Sequence, residues 1–292
     1  MFTHSTLHRL ASAAADIHRR NASGVAETYA KGEGGLDVVS ATDLRNERDL
    51  RALLREALPD LAFLYGEENG FEKLPGDGYG ALIDPIDGTR PYTQRMFCSG
   101  VSVGFCDGTG VMRAGFIVRL NNQWPGDMSL WTWDGETVRK DGAPFTPPAK
   151  IRSFADGCVS VTNVRSFPED SRMLSAAWFL LAADRCRGPM SVCSGASEVL
   201  AVLEGRLAAF VNPASADMVS HAVAVGMAKS LGFYVRHCLT EGSDFTLAVT
   251  PEGVAPAGDL SLAVSPMALR DELDALIRDG HTAVERLKQH AK

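Results

Sequence analysis

The chain of 292 residues has no Cys-x-x-Cys pair, although it carries six cysteines, at positions 98, 106, 158, 186, 193 and 238. None stands at metal-ligand spacing from a histidine. In a chain this long, that usage predicts reduced thiols and a cytoplasmic protein, with neither a disulfide framework nor a zinc centre. No apolar run approaches the eighteen or so residues that a membrane span requires. Asp16, His18, Arg19 and Arg20 interrupt any N-terminal apolar segment, so the start of the chain does not read as a signal peptide. Basic charge is scarce: 29 Lys and Arg face 36 Asp and Glu, for a net charge of −7. That balance argues against nucleic acid as the main partner, because phosphate backbones are bound by clustered cations. A small phosphorylated ligand stays open, since a bound metal can reverse the local field. Internal repeats and low-complexity tracts are also lacking.

What is present is an ordinary globular composition, 45% hydrophobic and 22% charged, long enough for one large domain or two closely packed halves. Its most informative stretch is Ala81-Leu82-Ile83-Asp84-Pro85-Ile86-Asp87-Gly88-Thr89. Three apolar residues read as the end of a buried strand, and the chain is expected to break at Pro85. Two carboxylates three residues apart follow, then a glycine that allows close approach of the main chain to a ligand. Hard carboxylates beside free amides at Gly88 and Thr89 suit Mg²⁺ and a phosphate, because Mg²⁺ prefers oxygen and shares its shell with substrate phosphates. A plain polar turn has the same composition, so the decision falls to residues elsewhere.

Ser5 is expected to cap a helix with Leu7, Leu10, Ala11, Ala14 and Ile17 on its apolar face, followed by a flexible loop at Lys31-Gly32-Glu33-Gly34-Gly35. Thr42 or Asp43 opens a second helix through Leu50, Leu53, Leu54 and Leu58, stopped by Pro59. Ala62 to Tyr65 reads as a strand running into Gly66-Glu67-Glu68. Phe97 to Phe105 and Val111 to Leu120 form a hairpin, and Trp131 to Val138 another, turning at Asp134-Gly135-Glu136. Pro144, Pro147 and Pro148 mark a connection between an α+β half, 1–147, and an α/β half, 148–292. The second half carries helices near Asp170–Ala183 and Ala196–Leu203, a strand at Leu207–Val211 and a helix from Asp217. A last helix is expected over Pro266–Ile277, with His281–Lys292 as an exposed extension.

Asp84-Pro85-Ile86-Asp87-Gly88-Thr89 matches the Asp-Pro-(Ile/Leu)-Asp-Gly-(Thr/Ser) signature of the inositol monophosphatase-like superfamily. Asp37-Val38-Val39-Ser40-Ala41-Thr42-Asp43 with Glu47, Gly66-Glu67-Glu68, Ser194-Gly195-Ala196-Ser197, Gly205-Arg206-Leu207-Ala208-Ala209-Phe210 and Asp217 also resemble that family, in order, across roughly Lys31 to Ser265. The resemblance implies an α/β fold of alternating helix and sheet layers, αβαβα, and a phosphoric monoester hydrolase. It implies two or three Mg²⁺ per site, with Glu67, Asp84 and the Ile86 carbonyl around the first and Asp84, Asp87 and Asp217 around the second. Thr89 and Asp43 would orient the attacking water, the Gly88 and Thr89 amides would take phosphate oxygens, and Ser194, Gly195 and Asn212 would face the substrate. The family further implies a loop at Lys31 over the metal site, inhibition by Li⁺ and a homodimer.

The sequence departs from the family at substrate-facing positions. Arg90-Pro91-Tyr92 replaces the common x-Asn-Phe, Met190 stands for an Arg, Asn212 for a Glu that contacts substrate hydroxyls, Ala216 for a Trp, and Ala228-Lys229-Ser230-Leu231-Gly232 for a Glu-Ala-Gly-Gly. The expected substrate is therefore a small phosphorylated metabolite, inositol monophosphate or a similar polyol or sugar phosphate, with myo-inositol phosphate itself in doubt. Histidinol phosphate, 3′-phosphoadenosine 5′-phosphate and fructose bisphosphate remain as alternatives within the superfamily. A non-catalytic ligand-binding member is the alternative outside enzymes.

Overall fold

Side chains alternate between two apolar environments along Ser99 to Leu120, and that alternation fixes the central sheet. In the computed structural model, residues 2–22, 27–31, 37–96, 98–120, 127–148, 151–162, 167–214, 218–237, 246–250, 253–257 and 261–290 are described. Helix α1 (His4–Asn21) leads to strands β1 (Thr28–Lys31) and β2 (Asp37–Ser40), helix α2 (Ala41–Ala57), and strands β3 (Phe63–Gly66), β4 (Gly70–Lys73) and β5 (Gly80–Asp87). A short helix α3 (Thr89–Thr93) precedes strands β6 (Ser99–Cys106), β7 (Met112–Leu120), β8 (Met128–Trp133), β9 (Val138–Lys140) and β10 (Ala143–Pro144). There follow β11 (Cys158–Val161), α4 (Glu169–Arg185), β12 (Gly188–Met190), α5 (Gly195–Leu203), β13 (Ala209–Asn212) and α6 (Met218–Ser230). Strands β14 (Tyr234–His237), β15 (Thr246–Thr250), β16 (Gly253–Ala257) and β17 (Leu262–Ser265) precede helix α7 (Arg270–His290).

One sheet has eight strands in the order β10-β9-β8-β7-β6-β5-β3-β4, and a second has five, in the order β12-β11-β13-β17-β14. The first is antiparallel except where β3 runs parallel to β5. Val101, Val103 and Phe105 of β6 and Phe116 and Val118 of β7 bury against Leu7 and Leu10 of α1 and Leu50 and Leu54 of α2. On the opposite side, Ile117 and Trp131 meet Val199 and Val202 of α5 and Val223 of α6, which also cover Phe210, Leu262 and Val264 of the second sheet. The outer face of that sheet, Val159, Val161, Val211 and Ala263, lies under Trp178 of α4 and Leu273 and Leu276 of α7. The layers are thus α1 and α2, sheet, α5 and α6, sheet, α4 and α7: the αβαβα order the resemblance implies. Each fully buried Leu contributes about 1.5–3 kcal/mol, several times the propensity differences among α2's polar residues. Packing therefore holds α2 helical, and its buried face carries Asp43, Asn46, Glu47, Leu50, Arg51 and Leu54.

Four sequence expectations need correction. Thr3, not Ser5, caps α1, its side chain accepting from the Thr6 amide. Ser40, not Thr42 or Asp43, is the N-cap of α2. The chain does not break at Pro85: β5 continues to Asp87 with its register shifted between Asp84 and Asp87. The C-terminal helix does not stop at Ile277, and residues 281–290 continue it. Gly280 makes that possible, since a Cβ there would lie 2.2 Å from the Trp178 ring. Among the described residues, no helix is long and apolar enough to cross a membrane.

Candidate active site

The bulge in β5 determines where the two aspartates point. Successive strand residues face opposite sides, so positions 84 and 87 of a regular strand would diverge. Here Asp84 pairs with Ser102 and Asp87 with Gly100, three residues on β5 against two on β6. The extra residue returns both aspartates to one face, while Ile83 and Ile86 both enter the core on the α1–α2 side. Asp84 is 1% exposed and Asp87 5%. Parallel pairing of Gly66 with Ile83, extended by the Glu67 amide donating to the Ile83 carbonyl at 3.1 Å, leaves Glu67 level with Asp84.

Asp43 stands at the far end of the bulge. It closes a capping box with Ser40: its Oδ2 accepts from the Ser40 amide at 2.9 Å and from the Ser40 hydroxyl, while its own amide donates to Ser40 Oγ. Its Oδ1 accepts from the Thr89 hydroxyl at 2.9 Å, and the same hydroxyl lies 3.2 Å from the Ile86 carbonyl. Burial pushes the Asp43 carboxyl upward, against the lowering effect of its hydrogen bonds from Ser40 and Thr89. Gly88 precedes Thr89 in the left-handed region at φ 81°. A Cβ there would lie 2.6 Å from that of Ser194, so glycine is required on both conformational and steric grounds.

From across the molecule, α5 meets Asp87 end-on. Asp87 Oδ2 accepts from the Ser194 hydroxyl at 2.7 Å and from the amides of Ala196 at 3.0 Å and Ser197 at 3.3 Å. A carboxylate at a helix N-terminus satisfies amides that have no partner within the helix. Ser194 is fully buried and directed at Asp87, and Gly195 lies under His221, whose Nε2 a Cβ at 195 would approach to 1.7 Å. Asn212 is buried at the end of β13, with its Oδ1 accepting from the Ala214 amide at 3.2 Å. Asp217 and the loop 32–36 lie outside the described residues, as does the side chain of Lys31.

Two buried groups around these segments, Asn46 and Glu198, escape the motif reading, and a third, Glu47, stands in it without an assigned role. Asn46 Nδ2 donates to the Pro85 carbonyl at 3.2 Å and to His18 Nδ1 at 2.9 Å. Glu47 accepts from the amides of Glu68 at 2.8 Å and Asn69 at 3.2 Å, and from Arg51 Nε at 2.8 Å, so it fixes the turn that carries Glu67. Glu198 accepts from the amides of Ser194 at 3.1 Å and Val192 at 3.3 Å and from the Ser160 hydroxyl; burial pushes its carboxyl up to about 7. The signal for Asn46 and Glu47 was available: positions 43, 46 and 47 share a helical face with Leu50 and Leu54, so polar residues there are buried.

Among the described residues, no group of three or more His, Cys, Asp and Glu could hold a metal ion as placed. The donor types nonetheless fit a hard cation. Glu67, Asp84 and Asp87 and the Ile86 carbonyl offer only oxygen, which suits Mg²⁺ and not a soft metal. Two aspartates buried on one face of one strand also create a demand for positive charge, and the amides of α5 meet part of it at Asp87 Oδ2.

Comparison with known proteins agrees with this architecture. A model described as the inositol monophosphatase family matches residues 3–220. Human inositol monophosphatase 1 is 37% identical over 73 residues, which cover 24% of this chain and 26% of that protein, and the Pongo abelii protein matches equally. The match thus spans about a quarter of the length of these curated relatives. Among solved structures, the extragenic suppressor protein suhB of Bartonella henselae aligns at a TM-score of 0.75 with 19% identity, over 94% of this chain and 98% of that one. A Thermotoga maritima IMPase gives 0.69 with 18% identity over 96% of both chains. SaIMPase-II, solved with inositol monophosphate bound, gives 0.66 with 17% identity over 99% of this chain and 98% of its own. At such identities the structures establish a common fold.

Proposed function

We propose that this chain, which belongs to the inositol monophosphatase family, is a Mg²⁺-dependent phosphomonoesterase that hydrolyses a small phosphorylated metabolite. The observation that carries the reading is the hydrogen bond from Thr89 Oγ1 to Asp43 Oδ1 at 2.9 Å, formed at the end of a strand that turns Asp84 and Asp87 to one side. Glu67, Asp84 and the Ile86 carbonyl would hold one Mg²⁺, and Asp84, Asp87 and Asp217 a second, in a set of two or three. Bound there, the ions would neutralise phosphoryl charge and lower the pKa of water.

The protein's own groups supply the rest. With its hydrogen bond donated to Asp43, the Thr89 hydroxyl presents a lone pair that accepts a hydrogen bond from the attacking water and so aims it. Asp43 is the ultimate proton acceptor, and its upward-shifted carboxyl makes it a better base than an exposed aspartate. Ser40 holds Asp43 in that orientation through the capping box. The amides of Gly88 and Thr89 would take the phosphate oxygens. Asp87, locked onto α5, keeps the second wall of the site in register with the first. Water attacks phosphorus directly, one of its protons passing through Thr89 to Asp43, as the bond from phosphorus to the alcohol oxygen breaks; that oxygen takes a proton from solvent water, and inorganic phosphate is released with no covalent enzyme intermediate.

Within this reading the substrate is a polyol or sugar phosphate. One observation favours a ligand other than myo-inositol phosphate: Asn212 is buried and engaged with the Ala214 amide. The side chain at 212 therefore offers a substrate hydroxyl an amide in place of a carboxylate. Li⁺ inhibition, a cytoplasmic location and a homodimer belong to the same proposal. The test is phosphate release from a panel of esters, including inositol, sugar, histidinol and 3′-phosphoadenosine 5′-phosphate, with Mg²⁺ and with EDTA. Turnover that requires Mg²⁺ supports the reading; a folded protein that turns over no ester at any Mg²⁺ concentration rejects it.

A further inference from the structure

A bulge is a specific departure from a regular ladder, and something must take up the backbone groups that leave it. In β5 those groups lie at Pro85 and Ile86, between the pairs Asp84–Ser102 and Asp87–Gly100. Pro85 has no N–H, so only its carbonyl needs a partner. That partner is Asn46 Nδ2 of α2 at 3.2 Å, and the Ile86 carbonyl is approached by Thr89 Oγ1 at 3.2 Å. Asn46 is fully buried and held on its other sides: its second Nδ2 hydrogen donates to His18 Nδ1 at 2.9 Å, and its Oδ1 accepts from Asn21 Nδ2 at 3.3 Å. His18 is itself fully buried in α1 and stacks edge-on against Tyr92, with ring centroids 5.6 Å apart. Burial holds that imidazole neutral, with its pKa near 4, which keeps Nδ1 available as an acceptor.

An asparagine with both amide hydrogens and its oxygen engaged has a single allowed orientation. The chain His18–Asn46–Pro85 therefore runs from α1 through α2 to the back of the strand whose front carries Asp84 and Asp87. We infer that Asn46 is a positioning residue: by holding the Pro85 carbonyl off the ladder, it sets the bulge that brings Asp84 and Asp87 onto one face, and His18 fixes Asn46 in the orientation that does so. Asn46 lies buried behind the strand, bonded to the Pro85 carbonyl. This inference rests on the phosphatase reading for its functional consequence, but not for its structural one.

The test uses the full chain with Asn46→Ser, whose short hydroxyl does not reach the Pro85 carbonyl. In metal-free protein, amide hydrogen exchange at Ile86, Asp87 and Gly88 is expected to quicken about five- to tenfold, the scale of one net hydrogen bond. The β6–β7 ladder should be unchanged. Calorimetric titration with Mg²⁺ is then expected to show affinity weakened about 10- to 100-fold, as for other groups that orient metal ligands. A merely structural residue would lower the melting temperature without either change. Exchange at 86–88 equal to the wild type, or Mg²⁺ affinity equal to the wild type, overturns the inference. Asn46→Asp, which keeps the shape and loses the donor, is scored in the same way should the serine variant not fold; failure of both to fold would make Asn46 a general core residue and also overturns it. If the wild type binds no Mg²⁺ and hydrolyses no ester, the phosphatase reading fails, and the exchange result in metal-free protein still decides the role of Asn46.

Discussion

Two of the helices that begin at the candidate site, α2 and α5, are capped in opposite ways. Helix α2 caps itself: Ser40 and Asp43, three residues apart, satisfy one another's amides. Helix α5 has no side-chain hydrogen bond from its own N-cap Ser194, and its first amides are taken by Asp87, 107 residues earlier in the chain. The first arrangement is local, made between residues three apart. The second exists only when the two halves of the polypeptide are packed, so the carboxylate that closes the helix also reports that the site is assembled. Asp43 and Asp87 are both buried acids at a helix start, yet one orients a hydroxyl and the other joins two walls.

Several substitutions would break or sharpen this contrast. The largest effect is expected for Asp87→Ala, which removes a proposed metal ligand and strands the amides of α5. Activity should fall by at least about 10²–10³-fold and stability by about 3 kcal/mol, since buried donors without acceptors cost about 1–3 kcal/mol each. Phosphate release and urea denaturation measure the two effects; a stability loss no greater than that of Asp43→Ala would erase the distinction between the caps. Next is Thr89→Ala, expected to lower kcat about 10²-fold with KM little changed, whereas Thr89→Ser should keep most activity. A change confined to KM would make Thr89 a substrate-binding residue.

The third effect concerns Glu198, which holds the turn leading into α5. Its carboxyl is raised from 4.5 to about 7, so the fold favours its protonated form. Its contribution is complete below about pH 4.5 and is lost as pH rises through about 7, a decline on the order of 3 kcal/mol. Thermal melts of Glu198→Gln should lack that decline; a variant whose stability follows the wild type from pH 5 to 8 would refute the assignment. His18 gives the opposite slope, because its depressed pKa makes its contribution present above about pH 6.5 and lost as pH falls through about 4. The smallest effect is expected for Ser40→Ala, about 1 kcal/mol for a lost N-cap, with a modest drop in kcat through Asp43.

The same contrast explains what the sequence discloses. The central hairpins and the start of α2 are legible from short-range pattern, apolar alternation and a capping spacing, whereas the layer order and the grouping of Asp43 with Thr89, 46 residues away, came only from the family resemblance. Pro85 was legible only as a break, because the asparagine that rescues its carbonyl lies 39 residues away on another element. The clasp between Asp87 and α5 was hidden for the same reason. Residues 281–290 read as a tail in the sequence, and only the close approach of Trp178 to Gly280 shows that the position needs the absence of a side chain. Glu198 carries no signal in its local sequence, since its burial depends on elements packed around α5.

The central claim is that Asp84 and Asp87 share one face in order to grip a cation. Crystals soaked in Mn²⁺, with the ion located by anomalous scattering, test it most directly. The account predicts density within coordination distance, about 2–2.3 Å, of a carboxylate oxygen of Asp84, with Glu67 and the Ile86 carbonyl in the same shell and Asp217 closing a second. Mn²⁺ bound only elsewhere, or an occupied site that Asp84 does not touch, would contradict it.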